Sequence, residues 1–244
     1  HGSLIQAATK SCGHVAVSIF VNPAQFGPNE DYAKYPRSFA ADCELAAAAG
    51  AAAVFAPAVE EMYPEGAATF VDVEGLSGRL DGASRPGHFR GVATVVTKLL
   101  VASEPDKAFF GQKDAAQVAV LRRMTRDLRL GTEIVVCPIV READGLAMSS
   151  RNAYLSAGER EQARALSRAV HLVEALVKQG ERRAEALIAA ARAMLAVDAA
   201  IRVDYVELVN GDTLEPVQMA APGTLFAVAA WVGATRLIDN AILV

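Results

Sequence analysis

Residues 14 to 21, HVAVSIFV, form an unbroken apolar and β-branched run that stops at Asn22-Pro23, and residues 51 to 59 form a second run broken near Pro57. Continuous apolarity, rather than alternation, marks a strand covered on both faces, so both runs predict buried strands. Between them, residues 38 to 49 are small and apolar with Asp42 and Glu44 among them, and Gly50 follows where a helix stop belongs. That spacing predicts a helix and completes a strand, helix, strand unit. The pattern recurs: helix over 92–102, short strand over 106–110, helix over 115–130 closed by Gly131, and strand over 133–140. Alternation of this kind predicts a parallel α/β sheet with crossover helices.

The periodicity changes after residue 150. Ser156 with Glu159 three positions on has the form of a capping box, and Ala163, Leu166, Val170, Val173 and Val177 then recur at helical spacing through residue 179. A second helix is expected over 184–196. Strand-like runs follow at 202–209, 224–232 and 235–244, separated by turn signals at Gly211-Asp212 and Gly233. The expected organisation is therefore an α/β domain at 1–147 and a smaller C-terminal α+β domain at 148–244.

The 244 residues leave room for two such cores. With 52% hydrophobic and 21% charged residues the chain has the make-up of a folded protein, rich in alanine. A net charge of -4 offers no broad positive field for nucleic acid, which directs attention to a small-molecule substrate. Cys12, Cys43 and Cys137 lack metal-type spacing and are expected as buried thiols in a reducing compartment. The most apolar stretch, 45 to 59, is interrupted by Gly50 and Pro57 and falls short of the ~20 residues of a bilayer span, so no membrane crossing is expected.

Ligands of open parallel sheets bind beyond the carboxyl ends of the strands, which singles out four polar clusters. They are Asn22 to Phe26, Arg85 to Phe89, Gly111 to Asp114 with Gln117, and Met148 to Asn152. Gly111-Gln112-Lys113-Asp114 opens a helix, where backbone N–H groups and Lys113 attract phosphate; it reads equally as a solvated helix start with Asp114 near the cap. Met148-Ser149-Ser150-Arg151 sets two hydroxyls beside a guanidinium suited to phosphate oxygens, and also has the make-up of a polar interdomain turn. Asn22 and Gln25 are ordinary turn residues, yet the Gln25 amide would suit a hydroxy acid without neutralising a carboxylate that must act as nucleophile. His14 and His171 are expected to be structural or surface groups, while His88, after Arg85, is the better site candidate. No G-x-x-x-x-G-K-S/T, G-x-G-x-x-G or H-E-x-x-H occurs.

Taken together and in order, VSIFVNPAQF, RPGHFRGV, AFFGQKDAAQ and VREADGLAMSSRN resemble the pantothenate synthetase family over almost the whole chain. The resemblance implies a Rossmann-like parallel-sheet domain with a C-terminal α+β lid. It also implies an ATP-dependent ligase that condenses (R)-pantoate with β-alanine through a pantoyl adenylate, giving pantothenate, AMP and pyrophosphate. It makes His1 the second histidine of the family's H-x-G-H and, with Lys113 and Arg151, a catalytic residue. It assigns pantoate to Gln25 and Gln117, β-alanine also to Gln25, and ATP to His1, Gly111, Gln112, Lys113, Asp114, Val140, Met148, Ser149, Ser150 and Arg151. Asn22, Arg85 and His88 match family positions near the substrates, and Gln112 stands where the family often has glutamate. Mg²⁺ accompanies the nucleotide, with no residue assigned as its ligand. A cytoplasmic homodimer without nucleic-acid or membrane partners is the implied assembly. A strand and the first half of H-x-G-H are expected upstream of His1. Two rival readings remain at this level, a nucleotidyltransferase acting on a phosphate-bearing substrate and a non-catalytic relative that keeps only the fold.

Overall fold

The computed structural model describes residues 1–28, 30–35 and 37–244. They form two compact units, one of His1–Gly111 with Ala116–Cys137 and the other of Gln112–Ala115 with Pro138–Val244. The sequence reading put its boundary after residue 147. The chain changes unit earlier because Pro138, which has no N–H to donate, ends the preceding strand at Cys137, and Arg141 is then tied to Asp239 of the second unit.

In the first unit β1 (Ala16–Ser18) pairs in parallel with β2 (Ala53–Phe55), with α2 (Phe39–Ala48) as the crossover. β3 (Lys107–Gly111) pairs in parallel with β4 (Glu133–Cys137), from Lys107↔Glu133 to Gly111↔Cys137, and α6 (Ala115–Asp127) connects them. α1 (Gly2–Thr9) packs against β3. The short helices α3 (Val59–Met62) and α4 (Asp81–Ser84) precede α5 (His88–Ser103), which buries Phe89, Val92, Ala93, Val96 and Leu100 along one stripe.

The structure departs from four expectations. The parallel strands form two separate pairs among the described residues rather than one sheet. β1 and β2 span three residues each, and residue 59 opens α3 instead of ending a strand. Neither strand is buried: each has a single neighbour among the described residues, and Val54 and Phe55 are exposed. Finally, α5 begins at His88, four residues earlier than read, because Gly87 takes a left-handed conformation (φ 83°) that turns the chain into the helix.

The second unit packs α7 (Ala157–Lys178) and α8 (Ala184–Leu195) on an antiparallel sheet ordered β5 (Ile201–Asn210), β6 (Thr224–Val232), β7 (Thr235–Ile242). Leu166, Val170 and Val173 of α7 and Leu187 of α8 meet Phe226 and Val228 of the central strand in one core. The capping box forms as read, with the Ser156 hydroxyl accepting from Glu159 N–H and the Glu159 carboxylate accepting from Ser156 N–H. That carboxylate lies where a Cβ at Gly233 would be, a clash that the flexible Glu159 side chain can relieve, so it is the φ of 56° that favours glycine in the β6–β7 turn.

The cysteines are free thiols, but only Cys137 is buried, and burial pushes its thiol up. Cys12 and Cys43 are half-buried, which corrects the expectation for those two. Among the described residues no helix is long and apolar enough to cross a membrane.

Candidate active site

After β1 the chain turns through a short 3-10 segment, Pro23–Gln25, started by Asn22, whose Oδ1 accepts from Ala24 N–H at 3.2 Å. Asn22 is 3% exposed and uses its whole amide. Oδ1 also accepts from the Tyr63 hydroxyl at 2.8 Å, while Nδ2 donates to Gly91 O and to Gln25 Oε1, each at 3.1 Å. The consequence falls on Gln25. With its oxygen engaged by a donor, its Nε2 is left as the end that offers two N–H groups to a ligand. Burial pushes the Tyr63 phenol up, so it stays a neutral donor across the physiological range. α5 can approach this turn only because Gly91 has no side chain: a Cβ there would stand 2.2 Å from Ala24 O.

Arg85 and His88 lock the same turn from the other side. Arg85 donates from Nε and Nη2 to the two Glu30 carboxylate oxygens at 2.8 and 2.6 Å, and from Nη1 to His88 Nε2 at 2.9 Å. An accepting Nε2 places the imidazole proton on Nδ1, which donates to Gln25 O at 2.8 Å. Burial lowers the His88 pKa and the neighbouring Arg85 charge lowers it further. Burial by itself would raise Glu30, but the hydrogen bond and charge of Arg85 outweigh it and hold the carboxyl below its ordinary value. These residues border a cleft of about 220 Å³ within the first unit, lined also by Phe26, Phe70 and Arg90.

Lys113 sits in the 3-10 turn Gln112–Asp114 between β3 and α6, and its ammonium contacts Asp114 Oδ1 at 3.1 Å. Gln117 is half-buried on the first turn of α6, and Gly111 ends β3 with open space where a Cβ would be. His1 is exposed at the head of α1, where its carbonyl accepts from Leu4 and Ile5 N–H.

In the second unit Val140 and Met148 face each other across a tight hairpin, Met148 N–H donating to Val140 O at 2.9 Å, with Gly145 at φ 90° in its turn. Ser149 caps the following 3-10 segment, its hydroxyl accepting from Arg151 N–H at 3.2 Å. Asn152 donates to Glu142 and Ala147 O, and Arg160 of α7 binds Glu142 and Asp144, holding the hairpin onto its own unit. Met148 and Ser150 are exposed or nearly so, and Arg151 is half-buried.

Asn22, Gln25, Arg85 and His88 thus form one connected cluster, and Gln112 to Asp114 and Val140 to Arg151 share the second unit. His1 and Gln117 lie outside these clusters. Tyr63, Glu30, Asp239 and Asn240 were missed. A sequence signal existed only for the last two, adjacent polar residues inside the otherwise apolar run 237–243.

Parallel strand pairs whose carboxyl ends carry amide, ammonium and glycine-containing turns, together with a helix-covered antiparallel unit, define an α/β ligand-binding enzyme architecture. The model of the family described as Pantoate-beta-alanine ligase matches residues 1–242, and the chain belongs to that family. It is 61% identical to the pantothenate synthetase of Acidobacterium capsulatum, covering all of this chain and 81% of that one. With the Moorella thermoacetica pantothenate synthetase the identity is 56%, over all of this chain and 86% of the relative. Among solved structures, pantothenate synthetase from Thermus thermophilus superposes with a TM-score of 0.96 at 45% identity, covering 99% of this chain and 88% of that one. A Francisella tularensis pantoate-beta-alanine ligase, solved with beta-gamma ATP and beta-alanine, has a TM-score of 0.76 at 32% identity over 98% of this chain and 83% of the other.

Proposed function

We propose that this chain joins (R)-pantoate to β-alanine at the expense of ATP, through a pantoyl adenylate. The observation that carries the reading is the Gln25 amide, fixed with its Nε2 as the free end by a buried asparagine in a family whose reaction begins at a carboxylate. A neutral amide can orient the pantoate oxygens without quenching the carboxylate charge, as an arginine would. Gln117 supplies a second neutral group, and the same end of Gln25 serves the β-alanine side.

In the first step a pantoate carboxylate oxygen attacks the α-phosphorus of ATP, and the bond to the bridging oxygen of pyrophosphate breaks. Charge accumulates on the phosphates. Lys113, Arg151 and His1 are the side chains available to stabilise it, with the backbone from Gly111 to Asp114 and Ser149 to Ser150 as further donors and Val140 and Met148 bordering the nucleotide. The Lys113 ammonium, beside Asp114 at a partly exposed position, has further N–H donors to offer the nucleotide. In the second step the β-alanine amine attacks the acyl carbon and AMP departs. This step needs orientation and exclusion of water, since an acyl adenylate hydrolyses readily. Arg85 and His88 take no direct part: their polar atoms hold the Gln25 backbone, which makes them positioning residues.

Mg²⁺ enters with the nucleotide phosphates as part of the substrate; among the described residues no three histidine, cysteine, aspartate or glutamate side chains gather as a metal site. The assembly is a cytoplasmic homodimer, which a monomer mass in light scattering would overturn. For the reaction, pyrophosphate release should require ATP and pantoate, and AMP release should require β-alanine as well. Nucleotide transfer to a phosphate-bearing acceptor, or no nucleotide turnover at all, would replace this reading.

A further inference from the structure

β7 carries two buried polar residues side by side, Asp239 at 2% exposure and Asn240 at 4%. Successive residues of a strand face opposite sides, so the two can serve different partners from one short piece of backbone. Asn240 Nδ2 donates to Gln112 O at 3.0 Å and to Lys113 O at 2.9 Å, while its Oδ1 accepts from Gln112 Nε2 at 3.0 Å. One amide therefore holds two consecutive carbonyls, which fixes the peptide plane between them and the direction in which Lys113 leaves the backbone. Asp239 accepts a forked pair from Arg141, Nη1 to Oδ2 at 2.7 Å and Nη2 to Oδ1 at 3.0 Å. The same Arg141 Nη1 reaches Gly145 O at 3.1 Å, and Arg141 bridges Ala147 through the backbone of the hairpin that runs directly into Ser149 to Arg151.

We propose that Asp239 and Asn240 are positioning residues for adenylate formation: from adjacent places on β7 they hold the Lys113 turn and the 140–151 segment in register for one nucleotide. This rests on the reading that those two segments meet ATP. It also gives Gln112 a role, since its side chain is committed to Asn240. Buried amides and carboxylates in a strand are costly unless their polar atoms are paired, and here Asn240 is paired with the backbone of the Lys113 turn and Asp239 with the Arg141 guanidinium.

The test uses the full chain with isosteric changes. Asn240→Asp keeps size but replaces two N–H donors by an oxygen facing two carbonyls, and Asp239→Asn halves the forked pairing. Each should lower first-turnover pyrophosphate release by about a hundredfold, the scale of a displaced reacting group. Pantoate KM and the rate of β-alanine attack on supplied pantoyl adenylate should match the parent. In the double variant Lys113→Ala/Asn240→Asp the loss should be no greater than in Lys113→Ala alone. Parent-like pyrophosphate release in Asn240→Asp overturns the proposal, as does an equal loss in both steps, the mark of a merely structural residue. Lys113→Ala impaired with Asn240→Asp normal rejects the anchoring and leaves Lys113 standing; Lys113→Ala normal rejects both. If Asn240→Asp does not fold, Asn240→Ser, which adds no charge and keeps one donor, is measured in its place and judged in the same way.

Discussion

The orientation of Gln25 is set by its neighbours. Tyr63 holds Asn22, Asn22 holds the Gln25 side chain, and Arg85 and His88 hold its backbone. Tyr63→Phe, which removes one hydroxyl and no bulk, leaves Asn22 Oδ1 with a single donor. The expected result is a severalfold rise in pantoate KM, in line with about 1 kcal/mol for one hydrogen bond, with ATP KM unchanged. Equal rises in both constants would show that Tyr63 does no more than hold the fold. Gln117→Leu should separate the same constants by a larger factor, because a buried substrate oxygen then goes unpaired at about 1 to 3 kcal/mol. Lys113→Ala removes charge from the phosphate end instead, at a half-exposed position where the fold tolerates it. Pyrophosphate release should fall by about 10²- to 10³-fold, the usual effect of losing one transition-state donor, and a rate within about threefold of the parent would reject the assignment.

Among the elements, α5 and the Asn22–Gln25 turn depend on each other through Gly91. An alanine Cβ at 2.2 Å from Ala24 O cannot be relieved by a rotamer change, because the clash is with backbone. Gly91→Ala should cost about 1 to 3 kcal/mol by overpacking, and it should also raise pantoate KM, since relief comes only by moving the turn that carries Gln25. Loss of stability with unaltered kinetics would mean that α5 yields and the turn does not. Helices and strands of this kind were legible wherever the signal was local: the Ser156–Glu159 box, the α7 stripe and the three antiparallel strands lie where periodicity put them. The start of α5 was misread because a left-handed Gly87 acts as its entry in place of a capping side chain, and α3 because the few apolar residues around Pro57 have no period.

For the molecule as a whole, pH reports two sets of groups. His88 has a folded-state pKa below the ordinary imidazole value, so the unfolded chain takes up its proton first. The stability it contributes is complete above about 6.5 and is lost as pH falls from there toward the lowered value. Glu30, Glu142 and Asp144 are depressed carboxyls, whose contributions hold above the ordinary carboxylate range and are lost below it. Thermal unfolding should therefore show two declines on acidification, and His88→Asn should remove the upper one alone; a single decline in the carboxylate range for both proteins would refute this. The sequence by itself determined the alternation of elements, the division into a parallel and an antiparallel unit, and the glutamine, lysine and arginine turns that follow strands, because turn chemistry and periodicity act over a few residues. Only the tertiary structure decided what orients those turns. The partners of Asn22, Gln112 and Arg141 are 41, 128 and 98 residues away, at Tyr63, Asn240 and Asp239, and no local pattern encodes a hydrogen bond that exists only once the chain has brought distant backbone together.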